Sequence, residues 1–241
     1  MGKLATNTLA GRFVNAYNLL DHSLRTQYNF KANLSFSDLI RRTASLNQVI
    51  RLYEDDLIDL ARLRNAIIHS KSETVIAEPH EDVVKIMEKV ARIISTPPLV
   101  IDAIKSLDVA TIAAESMLRE YVILSSQVGH SNIPVYKRNM LVGVMQRSCF
   151  LEYLGHVMKQ GRGIDDFLAN TTIEQCLRDY PRTAHFTIVS KRVTIEEVIE
   201  LFTNRKLSAI IITDSGTSGG KLLGIVTQAD IIDLMNILEG Y

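Results

Sequence analysis

Residues 221–235, KLLGIVTQADIIDLM, decide the fold of the C-terminal half of this 241-residue chain. A short aliphatic run ends at Thr227, and an apolar stretch with helical spacing follows it. Residues 140–154, MLVGVMQRSCFLEYL, match this segment with Gly143 aligned to Gly224, an offset of 224 − 143 = 81. A segment that recurs at a fixed spacing indicates a structural unit that occurs twice.

Strands and helices alternate around both matching segments. A second match, residues 110–112 against 193–195, lies at an offset of 194 − 111 = 83, so loops absorb two residues. The runs FTIVS, SAIIIT and LLGIVT are typical of strands, and TIEEVIELFTNRK between the first two is typical of a helix. This alternation predicts an α/β region made of two tandem copies of about 60–70 residues each.

The N-terminal region has a different pattern, because helical periodicity runs through it without strand signals. We predict one long helix over residues 47–69, others over 9–28 and 80–95, and a short helix over 37–44 that Ser35 or Ser37 would cap. The Pro97-Pro98 pair ends this region. The predicted domains are therefore residues 1–96, all helical, then 97–160 and 161–241 for the two copies.

Composition excludes several classes of protein. The chain has 27 Lys plus Arg, 27 Asp plus Glu and two Cys, so it is neither a basic nucleic-acid scaffold nor a disulfide-rich domain. No window is long and apolar enough to predict a membrane span or a signal peptide. We therefore expect a cytoplasmic protein with reduced thiols and no membrane partner.

The second copy resembles the CBS domain family, whose units end in a strand, the motif G-h-h-[ST]-x-x-[DN] and a helix. Gly224, Thr227 and Asp230 stand at the motif positions. The resemblance implies an N-terminal all-helical bundle followed by two CBS repeats of β-α-β-β-α order. It also implies a regulatory adenine nucleotide (AMP, ADP or ATP) or a related adenosyl ligand, with the base between backbone segments at Ile188 and at Ala209-Ile210.

The chemistry of these side chains fits such a ligand. Thr227 would lie where a strand meets a helix N-terminus, which favours a phosphate, and the Asp230 carboxylate can accept hydrogen bonds from both hydroxyls of a ribose. Lys191 or Arg192 is a candidate phosphate contact. T-x-x-D is also an ordinary helix capping box, so a purely structural role stays open.

The first copy departs from the family motif. Gln146 replaces the Thr, and Cys149 replaces the Asp. By the family pattern, a site at this end would be impaired. If the chain has a single ligand site, Thr227 and Asp230 are expected to define it.

The helical region carries the sequence Arg64-Asn65-Ala66-Ile67-Ile68-His69. It resembles the HEPN superfamily, helical-bundle proteins with an R-x4–6-H motif, in which two copies of this helix meet in a dimer. The resemblance implies a metal-independent endoribonuclease that needs no catalytic cofactor and acts on an RNA substrate. His69 would be the general acid or base, Arg64 would stabilise charge on the phosphate, and Asn65 would orient the phosphate or the histidine.

Helix geometry partly supports this interpretation. Asn65 and His69 lie about 40° apart on one face, whereas Arg64 lies about 140° from His69, on the apolar side. A cation there must snorkel, find a carboxylate or face another subunit. An ordinary surface His with an Arg loosely paired to Asp56 or Asp59 is the alternative.

The sequence therefore predicts a sensor and effector in one chain. A CBS pair that binds adenine nucleotide would control a HEPN dimer, or a tetramer, that cleaves RNA. The alternative is a non-catalytic adenine-nucleotide sensor whose helical domain mediates dimerisation or partner binding.

Overall fold

The computed structural model describes residues 7–68, 77–104, 109–179 and 185–240. The chain divides into two compact units. One runs to Pro98 and takes in the residues from Ile237 on, and the other spans Leu99–Asn236. None of the helices in the described ranges is long and apolar enough to cross a bilayer.

The described residues of the first unit form helices and the loops between them, with no strand among them. Its helices are α1 (Leu9–Gln27), α2 (Phe36–Ala44), α3 (Gln48–Leu52), α4 (Glu54–Ile68) and α5 (Glu81–Ser95). Apolar side chains spaced three, four and seven residues apart meet in one core, which includes Phe13, Leu20, Leu39, Ile50, Leu57, Val84 and Met87. The Arg12 guanidinium donates to Glu81 and Glu88 and so links α1 to α5.

The single long helix predicted over residues 47–69 is wrong, because two helices, α3 and α4, occupy this stretch. They are separated at Tyr53, whose φ of −106° and ψ of 17° leave the helical region. Ile50 and Leu57 are both fully buried on either side of the break. Since the two helices present the same face to the core, apolar periodicity gives no sign of the interruption.

The short helix begins slightly earlier than predicted, and the structure selects Ser35 as its cap. The Ser35 hydroxyl accepts a hydrogen bond from the Asp38 backbone N–H at 3.2 Å. Ser37 lies inside α2.

The second unit contains strands and helices. Its elements are α6 (Val100–Ala103), β1 (Ile112–Ala113), α7 (Leu118–Gln127), β2 (Asn132–Lys137), β3 (Met140–Gln146), α8 (Arg147–Lys159), α9 (Ile164–Asn170), α10 (Ile173–Asp179), β4 (Phe186–Ser190), α11 (Ile195–Asn204), β5 (Ala209–Thr213) and β6 (Leu222–Thr227). A single 3-10 turn at Gln228–Asp230 leads into α12 (Ile231–Gly240).

The strands form two three-stranded sheets of identical topology, β1-β2-β3 and β4-β5-β6. In each, the first pair is parallel and the second antiparallel. Val135 faces Gly143 in one sheet as Ile212 faces Gly224 in the other, and each middle strand has an irregularity just after this pair. We call residues 112–159 the first copy and 186–240 the second copy.

Each sheet packs against the helical segment that precedes the other copy. A Cβ added at Gly143 would lie 2.7 Å from Leu177 Cδ1 in α10, and one at Gly224 would collide with Ile104 after α6. Glycine at both positions therefore lets these segments approach the sheets closely. Residues 161–179 precede the second copy in the chain, yet their side chains join the first copy's core.

A third apolar cluster joins the two sheets. It consists of Leu141, Val144, Ala209, Ile211 and Ile225. Each copy buries part of its apolar surface against the other, so the two copies are expected to depend on each other for stability.

Candidate functional site

A cleft lies at the ends of β2 and β6 where the two copies meet. It comprises two cavities of about 270 and 580 Å³ that share four lining residues, Ser131, Asn132, Thr227 and Ala229. We call the two together the strand-end cleft. Its volume is within the range of small-molecule sites.

Thr227 and Asp230 both line this cleft, and they also form the capping box. The Thr227 backbone N–H and hydroxyl both donate to Asp230 Oδ2, at 2.7 and 2.9 Å. Among the described residues, Asp230 Oδ1 has no hydrogen-bond partner. The capping role is therefore present, and it leaves one carboxylate oxygen for a ligand.

The other predicted contacts lie beside the cleft rather than in its lining. Ala209 pairs directly with Thr227 between β5 and β6. The side chains of Ala209 and Ile210 are fully buried, and Ile188 packs against the cluster between the sheets. Ala209 and Ile210 can therefore offer a ligand only their backbone, whereas the Ile188 side chain is partly exposed.

Several cleft residues could not be identified from the motif, because they come from the first copy or from the segment that precedes it. His130 and Ser131 lie between α7 and β2, and Asn132 begins β2. Ala103 ends α6, and Ile104 follows it. Asn132 is 4% exposed, and its Oδ1 is buried and has no hydrogen-bond partner among the residues that the structure describes. No signal in the sequence connects His130 with Asp230.

The predicted phosphate contacts Lys191 and Arg192 are not in the cleft lining. Arg192 lines another cavity, of about 650 Å³, with Val189 and Glu197. This cavity shares Asn204 and Arg205 with the larger cavity of the strand-end cleft. The basic residues in the lining of the strand-end cleft are Arg205 and Lys206.

The first copy has a different arrangement at its matching strand end. Gln146 Oε1 accepts hydrogen bonds from the Ser208 hydroxyl at 3.1 Å and the Cys149 thiol at 3.3 Å. Gln146 also makes no side-chain cap to α8. The positions that match Thr227 and Asp230 are thus occupied by neutral groups bonded to each other, with no carboxylate to offer.

In the helical unit, Arg64 lies on the apolar side of α4, as the helix geometry predicts. Its guanidinium carbon is 5.3 Å from the centre of the Tyr17 ring, and its Nε is buried and has no hydrogen-bond partner within the described part of the chain. Burial raises the pKa of Tyr17 to about 12, against the opposing charge of Arg64. The cation is thus stabilised by an aromatic face.

The remaining residues of the motif are only partly defined. Arg64 Nη1 donates to Asn65 Oδ1 at a long 3.4 Å. Asp59, one of the two carboxylates considered for Arg64, pairs with Arg62 at 2.7 Å instead. His69 lies outside the described residues. The structure therefore describes the positions of Arg64 and Asn65 only, and not their geometry relative to His69.

Comparison with known families agrees with part of this assignment. Residues 177–237 match the family model of the CBS domain, so the chain contains a CBS domain there. The match begins inside α10, the helix that packs on the first copy, and ends within α12. No curated protein matches the chain.

Several solved structures share a limited similarity with the chain. The CBS domain of a bacterial CNNM/CorC family Mg²⁺ transporter in complex with ATP is 18% identical, with a TM-score of 0.45 over 62% of this chain and 94% of that one. CBSX2 in complex with AMP is 16% identical, with a TM-score of 0.44 over 59% and 98%. A CBS domain protein from Streptococcus pneumoniae is 20% identical, with a TM-score of 0.41 over 55% and 78%.

Proposed function

We propose that this protein is an adenine-nucleotide sensor that binds its ligand in the strand-end cleft. The observation that carries the proposal is the position of Asp230. Its Oδ2 accepts hydrogen bonds from Thr227, and its Oδ1 has no partner among the described residues at the wall of a cleft in the family-matched CBS domain. A carboxylate held in this way is fixed in place before a ligand arrives.

In this proposal Asp230 accepts hydrogen bonds from the ribose hydroxyls, which are donors that a carboxylate pairs with well. Thr227 is at the strand end next to Asp230, and its own hydroxyl fixes the carboxylate. The base would use backbone groups near Ala209, since that residue pairs directly with Thr227.

We further propose one nucleotide per chain. Gln146 and Cys149 replace the Thr and Asp at the first copy's strand end, and they bond to each other and to Ser208. A ribose at this end would meet no anionic acceptor from these two residues.

Calorimetric titration of the full chain with ATP, ADP and AMP tests this proposal. Saturable binding of one nucleotide per chain is expected, and Asp230→Ala should weaken it by tenfold or more, since it removes a charge-assisted contact of about 1.5–3 kcal/mol. Cys149→Ala, at the matching position of the first copy, is the control and should bind as the wild type does. Equal affinities for the two variants would contradict the assignment of Asp230.

A second function, metal-independent RNA cleavage, is favoured by Arg64. The guanidinium beside Asn65 is half-buried, and its Nε, which no described residue pairs with, retains a donor for a phosphate. In the proposed reaction the RNA 2′-hydroxyl attacks the adjacent phosphorus and the 5′-oxygen leaves. His69 would act as general base or general acid, accepting the proton of the 2′-hydroxyl or donating one to the leaving 5′-oxygen. Arg64 would stabilise the charge on the phosphate, and a second copy of the chain would complete the active-site cleft.

Nucleotide control of this activity requires a ligand that prefers one of two states of the dimer. A coupling free energy of about 1–3 kcal/mol changes activity by about 5–150-fold. The competing proposal gives the helical unit only a dimerisation or partner-binding role.

Incubation of total RNA with the purified chain, with and without ATP or AMP, separates these two proposals. Cleavage should disappear in His69→Ala and Arg64→Ala and persist in Arg41→Ala, which alters an exposed arginine of α2 outside the motif. Products should carry 2′,3′-cyclic phosphates. Intact RNA with a wild type that still binds nucleotide would favour the non-catalytic sensor, and light scattering would then report its oligomeric state.

A further inference from the structure

The first copy has a further cavity, between the end of α7 and the start of α8. Its volume is about 520 Å³, and the described residues that line it all belong to the first copy. Of these residues, Gly129 alone also lines the strand-end cleft. We call it the helix-end cavity. It has the size of a small-molecule site.

Most of the helix-end cavity is apolar. Two buried rings line it, Tyr121 and Phe150, which meet edge to face with their centres 5.2 Å apart. Val122 and Leu151 also line it, and their side chains are exposed to solvent. Apolar surface that is exposed around a cavity favours a ligand with an apolar body, since binding removes this surface from water.

Arg147 supplies the positive charge of the helix-end cavity. Its Nε donates to Ser125 Oγ at 3.3 Å, and its Nη2 donates to Ser125 O and His130 O, both at 3.1 Å. These acceptors are neutral, and Nη1 has no partner among the described residues. The described lining contains no Asp or Glu. A cation held in a fixed position thus lines a cavity without a described carboxylate to pair with it.

The second copy shows that the fold does not require this charge. Gln228 matches Arg147 at the offset of 81, and its Nε2 donates to Leu207 O at 3.2 Å. Leu207 and His130 each lie two residues before the middle strand of their sheet. A neutral amide therefore makes the same bond to the backbone that Arg147 makes in the first copy. The charge of Arg147 needs a different explanation.

The end of α7 also differs from the end of α11. The N-cap residues of these helices are Met117 and Thr194, an offset of 194 − 117 = 77, whereas the match in the sequence paired Thr194 with Thr111. Ser125, which lines the helix-end cavity, then matches Phe202, which is buried. The small serine leaves open a space that a phenyl ring at the same position would reduce.

We propose that the helix-end cavity binds a small monocarboxylate with an apolar body, as a second ligand of this protein. The carboxylate accepts hydrogen bonds from Arg147 Nη1, and the apolar body covers Tyr121, Phe150 and Leu151. This inference does not depend on the proposed nucleotide site, because neither Thr227 nor Asp230 takes part in it.

Titration of the full chain with 2-naphthoate and with the neutral 2-naphthamide, which has the same ring system, tests the proposal. Saturable binding of one naphthoate per chain is expected, with the amide bound at least threefold more weakly. Arg147→Gln gives the first copy the residue of the second copy. It should weaken naphthoate binding by about three- to tenfold, because the guanidinium is exposed to solvent, and should leave naphthamide binding unchanged.

A second variant and a control locate the bound probe. Ser125→Phe places a ring in the helix-end cavity and should abolish binding of both compounds. Arg119→Gln removes an exposed arginine of α7 that is not among the lining residues, and it should bind both compounds as the wild type does. Thermal denaturation checks that each variant is folded.

Three results would overturn the proposal. The first is a wild type that shows no saturable binding of 2-naphthoate at millimolar concentrations. The second is an equal affinity of the wild type for the acid and the amide, or a folded Arg147→Gln that binds the acid as tightly as the wild type does. The third is binding that survives in a folded Ser125→Phe, since the probe would then lie elsewhere.

Discussion

The two copies of the second unit have the same strand order, yet their strand ends offer different chemistry. At the end of β6, Thr227 holds a carboxylate whose second oxygen has no partner in the described residues. At the end of β3, Gln146 accepts hydrogen bonds from a hydroxyl and a thiol. Backbone topology is thus preserved where binding chemistry is not, because the fold depends on burial and the site on particular side chains.

The largest effect on stability is expected from a substitution that destabilises both copies at once. Ile211 is fully buried in the cluster between the sheets, so Ile211→Ala should lower the free energy of unfolding by about 2–5 kcal/mol. Guanidinium denaturation would measure it. Ile232→Ala on the exposed side of α12 is the control and should stay within about 0.5 kcal/mol. Independent unfolding of the two copies, with one transition unshifted, would contradict their shared stability.

Alkaline pH should distinguish the copies, because the buried Cys and Tyr side chains among the described residues of the second unit, Cys176 and Tyr121, belong to the first copy's core. Burial raises the pKa of Cys176 to about 12 and raises that of Tyr121 as well. Residues 186–240 contain neither Cys nor Tyr. A raised folded-state pKa means that the stability is complete below the unfolded value of about 8.5 and is lost as the pH rises through 12.

Denaturation at several pH values measures this loss, which should reach about 1 kcal/mol per pH unit between pH 9 and 12. Cys176→Ala should make the slope shallower, whereas Cys149→Ala should keep it. Equal slopes in all three proteins would show that the buried thiol does not contribute.

Converting one strand end into the other sharpens the comparison further. Gln146→Thr together with Cys149→Asp places the second copy's pair of side chains in the first copy. Because the backbone registers match, we expect a second nucleotide site, weaker than the first because position 146 lines a cavity of the same strand-end cleft that holds the first nucleotide. Titration calorimetry should show the stoichiometry rise from one to two. An unchanged stoichiometry would mean that the cleft walls, rather than this pair, limit binding.

The smallest effect concerns the hydrogen bond between the copies. Ser208→Ala removes the hydroxyl that donates to Gln146 and should cost about 1 kcal/mol. Thermal denaturation measures the change. Ser126→Ala removes an exposed hydroxyl bonded within its own helix and should cost less. If both variants lose the same amount of stability, the hydrogen bond to Gln146 contributes no more than an exposed one.

Much of the fold was predictable because the pattern of apolar residues repeats along the chain. The offset between Gly143 and Gly224 predicts two similar units, and both glycines prove to allow close packing against a helical segment. The break at Tyr53 was not predictable, since helices on either side of it bury the same face.

Part of the candidate site was visible in the motif and part was not. Thr227 and Asp230 are three residues apart in the chain, so their contact is local and the motif predicts it. The residues opposite them, from His130 to Asn132, are about a hundred positions away in the sequence and reach the cleft only because the two sheets pack together. For the same reason the basic residue in the cleft lining is Lys206 and not the predicted Lys191 or Arg192.

The sequence by itself determined the helical N-terminal region, the two copies that follow it and the Thr227–Asp230 pair, because local periodicity and short spacings encode these features. Only the tertiary structure decided which charged residues share a cavity, that Arg64 lies on the Tyr17 ring and that each copy packs against the segment leading into the other. These are contacts between residues far apart in the chain, and they are set by how apolar faces pair when the chain buries them.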